Sequence, residues 1–182
     1  MTVATLKTTA AFEPIDKAGL LALAEKGKSD PKAVRTVRCK TVAEGKRFRH
    51  LNYVRNLPPH IVDEPPALLG DDTAPNPTEA LLAALGSCVA VGLQANAIAR
   101  GWTVRSIEVD LEGDINITSV WGTGDLSPKL LGLTAVRIKA RVAADGATDA
   151  ELDELVAHAA HWSPVLNTVQ NPVPISVARE KA

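Results

Sequence analysis

Two thiols, Cys39 and Cys88, are the residues of this sequence best suited to nucleophilic or redox chemistry. Cys88 lies in a run from Ala80 to Ala99 that has no charged side chain. From its surroundings alone, a cysteine there reads in two ways: as a small hydrophobe of the core, or as a reactive thiol. The second reading needs positive charge nearby, because the thiolate is the nucleophile. The start of the enclosing helix, at Pro77, is roughly 16 Å away, too far for its dipole to help. An arginine would have to come from elsewhere in the chain. Arg35, Arg38, Arg47, Arg49 and Arg55 precede the run, and each also reads as part of a solvated strand face. His158 and His161, three residues apart, could turn two imidazoles toward a metal. No further histidine, cysteine or carboxylate stands at ligand spacing beside them, so no metal is expected and no cofactor is implied. The chain has no glycine-rich phosphate loop and no Gly-x-Ser-x-Gly elbow; Ser87 lies inside the helical run.

The run around Cys88 has clear boundaries. Asn76 is an N-cap, Pro77 occupies the first helical position, and Glu79 stands three after the cap, giving a capping-box arrangement. Arg100 and then Gly101 close it. Before it, Asp16–Lys26 carries Leu20, Leu21, Leu23 and Ala24 at helical spacing and is stopped by Gly27 and Pro31, while residues 1–13 have no period. Ala33–Ala43 and Lys46–Leu57 read as a hairpin, His60–Asp63 as a third strand, and 64–75 as a loop rich in Pro, Gly and Asp. After it, Trp102–Ile117 and Leu131–Ala143 read as strands joined by a loop, Thr148–Trp162 as a helix with Leu152, Leu155, Val156 and Ala159 on one face, and Val173–Ala178 as a closing strand. The chemistry is thus expected on a central helix flanked by two strand regions.

Composition narrows the class of partner. The 182 residues carry 20 basic and 21 acidic side chains, a formal charge of −1, so no broad field draws nucleic acid or an anionic membrane. The length fits one domain, read as 33–182 behind an N-terminal extension, 1–32, that holds the short helix. Two cysteines are too few for a disulfide framework, and no basic, apolar, cleavable leader opens the sequence, so a reducing cytoplasm is the expected home. The uncharged run has the length of a membrane span, but Gly86, Ser87, Gly92, Gln94 and Asn96 interrupt it. It reads instead as a helix covered by other layers or by a partner subunit.

The segment from Asp63 to Cys88, DEPPALLGDDTAPNPTEALLAALGSC, resembles the signature of the OsmC and organic hydroperoxide resistance family. His161 to Pro174, HWSPVLNTVQNPVP, is similar to that family's second motif, and the element order also fits over roughly 33–178. The resemblance implies an α+β, OsmC-like fold with a long central helix packed between antiparallel sheets. It also implies an intertwined homodimer with sites at the subunit interface. In many members the helix cysteine, matching Cys88, is oxidised by an organic hydroperoxide to a sulfenic acid. A second cysteine then closes a disulfide, which an external thiol reduces.

Three departures from that scheme bear on function. Ser163 stands where the second cysteine is expected, so the two-cysteine cycle is closed to this chain. Cys39 matches no family cysteine and reads as a strand filler. A glutamate that commonly follows the proline is replaced by Thr78, and Glu79, nearly half a turn from Cys88 around the helix, reads as a capping residue. The arginine that assists the thiolate in the family comes from the early hairpin; Arg49 is favoured over Arg47, with Arg55 behind them. The expected site is therefore Cys88, Arg49 and Ser163. Three functions remain open: reduction of small organic hydroperoxides by Cys88 with an external thiol, binding of a small hydrophobic ligand at a dimer interface without peroxidase chemistry, and a general stress role that depends on a partner the sequence does not name.

Overall fold

The computed structural model describes residues 12–180. Its helices are α1 (Lys17–Ser29), α2 (Pro77–Ala99), α3 (Asp149–His161) and α4 (Pro164–Gln170). Its strands are β1 (Lys40–Ala43), β2 (His50–Tyr53), β3 (His60–Val62), β4 (Thr103–Asn116) and β5 (Gly132–Asp145). The strands form two separate antiparallel sheets, β1-β2-β3 and β4-β5. The irregular terminus expected over residues 1–13 falls largely outside the described residues.

α2 begins as its sequence dictates. The Asn76 side chain accepts from Glu79 N at 2.9 Å, and the Glu79 carboxylate accepts from Asn76 N at 2.8 Å, so two backbone donors of the first turn are satisfied reciprocally. At the other end Gly101 takes φ +85°, the left-handed stop that a side chain would strain. Leu85, Val89, Leu93 and Ala97 recur every four residues and are buried together with Val104, Leu155 and Ala159. This stripe packs on β4 and on α3, and α4 and α1 also lie against the helix. Gly86 allows the close approach to the sheet: a Cβ there would come within 2.6 Å of Leu111 Cδ1, so that side chain would have to shift.

β4 and β5 make a long hairpin with one dry face. Ile107, Val109 and Leu111 are half-buried toward α2. Glu108, Asp110, Glu112 and Asp114 point away and pair with Arg137 and Arg141 across the strands. Val104 would fall out of phase with Ile107 in a regular strand. The register shift between Val104 and Ser106 inserts Arg105 as an extra residue, so both valine and isoleucine face the core.

Several boundaries differ from the sequence reading, each for a local reason. The first expected strand, Ala33–Ala43, pairs only over Lys40–Ala43, and residues 33–39 lie exposed, with Val34 and Val37 each 92% accessible. The second, Lys46–Leu57, shortens to His50–Tyr53, because Arg47 and Arg55 both take positive φ and end the extended run on either side. α1 continues through Gly27 to Ser29 and is capped at its start by Asp16. The closing strand expected over Val173–Ala178 has no pairing partner among the described residues, and Ile175 and Val177 are 81% and 92% accessible. α4, within the stretch read only as proline-punctuated, forms because Ser163 caps it and Pro164 takes its first position.

The core stripe sets the first quantitative expectation. Leu93→Ala, at a side chain with no exposed surface, should cost about 2–5 kcal/mol in urea denaturation, against little change for the exposed Leu23→Ala.

Candidate active site

Cys88 occupies the middle of α2, eleven residues from either end, and its thiol is free and half-buried. At about 100° per residue, it lies on the border between two faces. One is the buried stripe Leu85, Val89, Leu93; the other is Ala84, Ser87 and Val91, exposed, with Val91 65% accessible. Half of the surroundings of Cys88 are therefore core, and the other half are an uncharged helix face that the described residues leave uncovered.

The arginines of the early hairpin divide by what holds them. Arg47 is mostly exposed and pairs with Asp71 at 2.7 Å. Arg35 and Arg38 lie in the exposed segment before β1, and Arg55 sits exposed in the turn after β2. Arg49 is the most enclosed of those that pair, 21% accessible: its Nε donates to the Glu44 carboxylate and its Nη1 to the Thr73 hydroxyl.

Thr73 in turn rests on a buried acid. Its hydroxyl and its backbone N–H both donate to Asp63 Oδ2, at 2.7 and 3.0 Å, while Glu64 N donates to Asp63 Oδ1 at 2.8 Å. Asp63 has no exposed surface. The donors, the Thr73 hydroxyl foremost, hold its carboxyl at about 2, below the ordinary 3.8. Glu64 beside it is in the opposite position: it is buried, and its Oε2 has no hydrogen-bond partner among the described residues. Burial pushes its pKa up, the charges of Asp63 and Glu79 add to that, and His50 opposes it. His50 itself is held by an Nδ1–H donated to Phe48 O at 2.8 Å. Gly70 closes the loop over this pair, since a Cβ there would meet the Glu64 carbonyl oxygen at 1.7 Å.

The remaining expected residues take structural positions within the chain. Ser163 is buried, and its hydroxyl accepts from Leu166 N at 3.3 Å as the N-cap of α4. Glu79 serves the capping box of α2. Cys39 is exposed and free, one residue ahead of β1. It lines a groove of about 520 Å³ with Thr41, His50, Asn52, His60, Val62, Pro77 and Ala80. The helix wall of that groove ends at Ala80, about 12 Å short of Cys88 along the axis. His158 and His161 flank the Trp162 indole, ring centroids 6.4 and 4.8 Å away.

A family model described as OsmC-like protein matches residues 70–178 of this chain, more than half of it. The chain belongs to the OsmC-like family. The solved structures it resembles include an OsmC-like protein of Mycoplasma pneumoniae, at 16% identity over 76% of this chain and 89% of the other, with a TM-score of 0.62. An OsmC-like protein of unknown function from Vibrio cholerae matches at 16% identity over 75% and 95%, again with a TM-score of 0.62. An organic hydroperoxide resistance protein OsmC from Legionella pneumophila matches at 20% identity over 76% and 92%, with a TM-score of 0.56. At these identities the likeness establishes the fold. No curated protein matches. The α+β architecture, with a long helix and antiparallel sheets, is that of the OsmC-like family.

The polar group around Asp63 was not singled out in the sequence, where Asp63 and Glu64 read as a strand end and its following loop. The available signal was two adjacent acids held between a strand and Pro65-Pro66, where burial of at least one carboxylate demands donors. In this OsmC-like chain the two acids respond oppositely to pH. The contribution of Asp63 is present above the ordinary carboxylate range and is lost as pH falls from about 4 toward 2. Glu64, with its pKa raised, favours the fold when protonated and penalises it when ionised. Asp63→Asn should weaken the protein near pH 7 and flatten its loss of stability below about pH 4. Glu64→Gln should strengthen it near pH 7 and match the wild type near pH 3; a series of urea midpoints against pH reads both.

Proposed function

We propose that this protein reduces organic hydroperoxides through Cys88 alone, as a homodimer, with an external thiol as reductant. The observation that carries the reading is a free thiol at the midpoint of α2, set on the edge of an uncovered apolar face in an OsmC-like chain. The Cys88 thiolate attacks the peroxide oxygen distal to carbon. The O–O bond breaks, the alkoxide takes a proton and leaves as alcohol, and the thiol becomes a sulfenic acid. One external thiol condenses with the sulfenic acid to a mixed disulfide and releases water; a second displaces Cys88 and departs as the oxidised disulfide. No cofactor enters this cycle. Arg49 is the cation assigned to the thiolate, and apolar walls around Cys88 suit fatty or aromatic hydroperoxides. Free thiols fit a reducing compartment such as the cytoplasm.

The second copy covers what one chain leaves open. Its supports are the exposed stripe Ala84, Ser87 and Val91, and two exposed segments with apolar residues, 33–39 with Val34 and Val37, and 172–180 with Val173, Ile175 and Val177 in alternation. Incubation with cumene hydroperoxide and dithiothreitol should consume peroxide, and Cys88→Ala should abolish turnover; an inert wild type would overturn the reading. Mass spectrometry after one equivalent of peroxide should find one oxygen added at Cys88. Val91→Glu should convert the dimer to monomer in sedimentation velocity, and a wild type that sediments as a monomer at all concentrations would remove the dimer from the proposal.

A second reading is favoured by one observation, the structural employment of Ser163 as the cap of α4. On that reading the fold binds a small hydrophobic ligand at the dimer interface and Cys88 is a packed residue. A Cys88 that resists iodoacetamide in the folded protein and reacts once denatured would support it.

A further inference from the structure

We infer that Asp63 and Thr73 are positioning residues for Arg49, fixing which edge of its guanidinium is free to face the thiolate. This rests on the reading that Arg49 serves Cys88. The Thr73 hydroxyl has a single hydrogen, and Asp63 Oδ2 takes it at 2.7 Å. The hydroxyl oxygen is thereby left as an acceptor, and Arg49 Nη1 donates to it. Asp63 cannot swing away, because it is wholly buried and also accepts from Thr73 N and Glu64 N. The relay therefore runs from a fixed carboxylate through an oriented hydroxyl to the arginine.

On its other side Arg49 Nε donates to Glu44. With Nε and Nη1 engaged, the planar fork is held at two points. Nη2 makes no hydrogen bond among the described residues and keeps its donors for a third partner. Arg47, two residues earlier, is held through one nitrogen: its guanidinium is 63% accessible, and its Nη1 pairs with Asp71 and donates to Gly70 O at 3.4 Å, with no buried acid behind them. A thiolate-assisting arginine that arrives with its orientation already set loses little freedom on meeting its partner, and the buried Asp63–Thr73 pair supplies that orientation.

The test is the rate of Cys88 alkylation by iodoacetamide against pH, in the full-length protein carrying Cys39→Ser so that one thiol reports. Arg49→Ala and Thr73→Val should each slow alkylation near neutral pH about tenfold and move the profile to higher pH. Thr73→Ser should restore the wild-type profile, and the double variant should be no slower than Arg49→Ala alone. If Thr73→Val does not fold by circular dichroism, Asp63→Asn, which keeps the shape of the acid, carries the same comparison. A Thr73→Val protein that is folded and reacts like wild type, while Arg49→Ala is slowed, overturns the positioning role and leaves the Arg49 assignment standing. An Arg49→Ala protein that reacts like wild type overturns that assignment, and the inference with it.

Discussion

A helix with no charge over twenty residues must be covered nearly all round, and this requirement governs the molecule. The chain meets it on one side. Leu85, Val89, Leu93 and Ala97 are driven against β4 and α3, which bury them with Val104, Leu155 and Ala159. The long hairpin follows from that contact: its inner face carries Ile107, Val109 and Leu111, and its outer face carries acids matched to Arg137 and Arg141. On the far side of the helix the described residues leave Ala84, Ser87 and Val91 exposed, and Cys88 lies on the boundary between the two sides.

The second organising force is polar and local. Residues 63–76 connect β3 to α2 without regular structure, apart from one short turn at Pro66–Leu68. Their conformation is set by a buried carboxylate that collects donors from its own loop and by a capping box at the loop's end. Asp63 is well served, and its neighbour Glu64 is buried with one oxygen unserved. An unserved buried acid is costly, and it persists here next to the elements assigned to chemistry, where such strain is most often kept.

Much of this was legible in the sequence because the signals are local. The limits of α2 follow from Asn76, Pro77, Glu79 and Gly101, and the 3.6-residue period gave α3 to within a residue. The strand pairs were readable from alternation, even where Val104 and Ile107 are spaced by three, a spacing that the extra residue Arg105 accommodates. What failed depends on contacts the sequence does not display. Ile175 and Val177 alternate like strand residues and Val34 and Val37 are β-branched, but a strand exists only when an edge receives it, and none does among the described residues. Arg47 and Arg55 end β2 through left-handed turns that nothing in their side chains announces. The place of Cys88 at the middle of α2 follows from the caps on either side of it. The Asp63–Thr73–Arg49 relay was not legible, since it joins residues up to 24 apart through a loop.

Ser163 has a consequence for chemistry as well as for structure. Its hydroxyl closes the first turn of α4, and a sulfur atom is a much weaker acceptor. Losing a cap typically costs about 1 kcal/mol, a sizeable part of the margin by which a domain stays folded. A thiol at this position would cap the turn less well than the hydroxyl does. The serine therefore ties the chemistry available at this position to the start of α4: whatever replaces it must also close that turn.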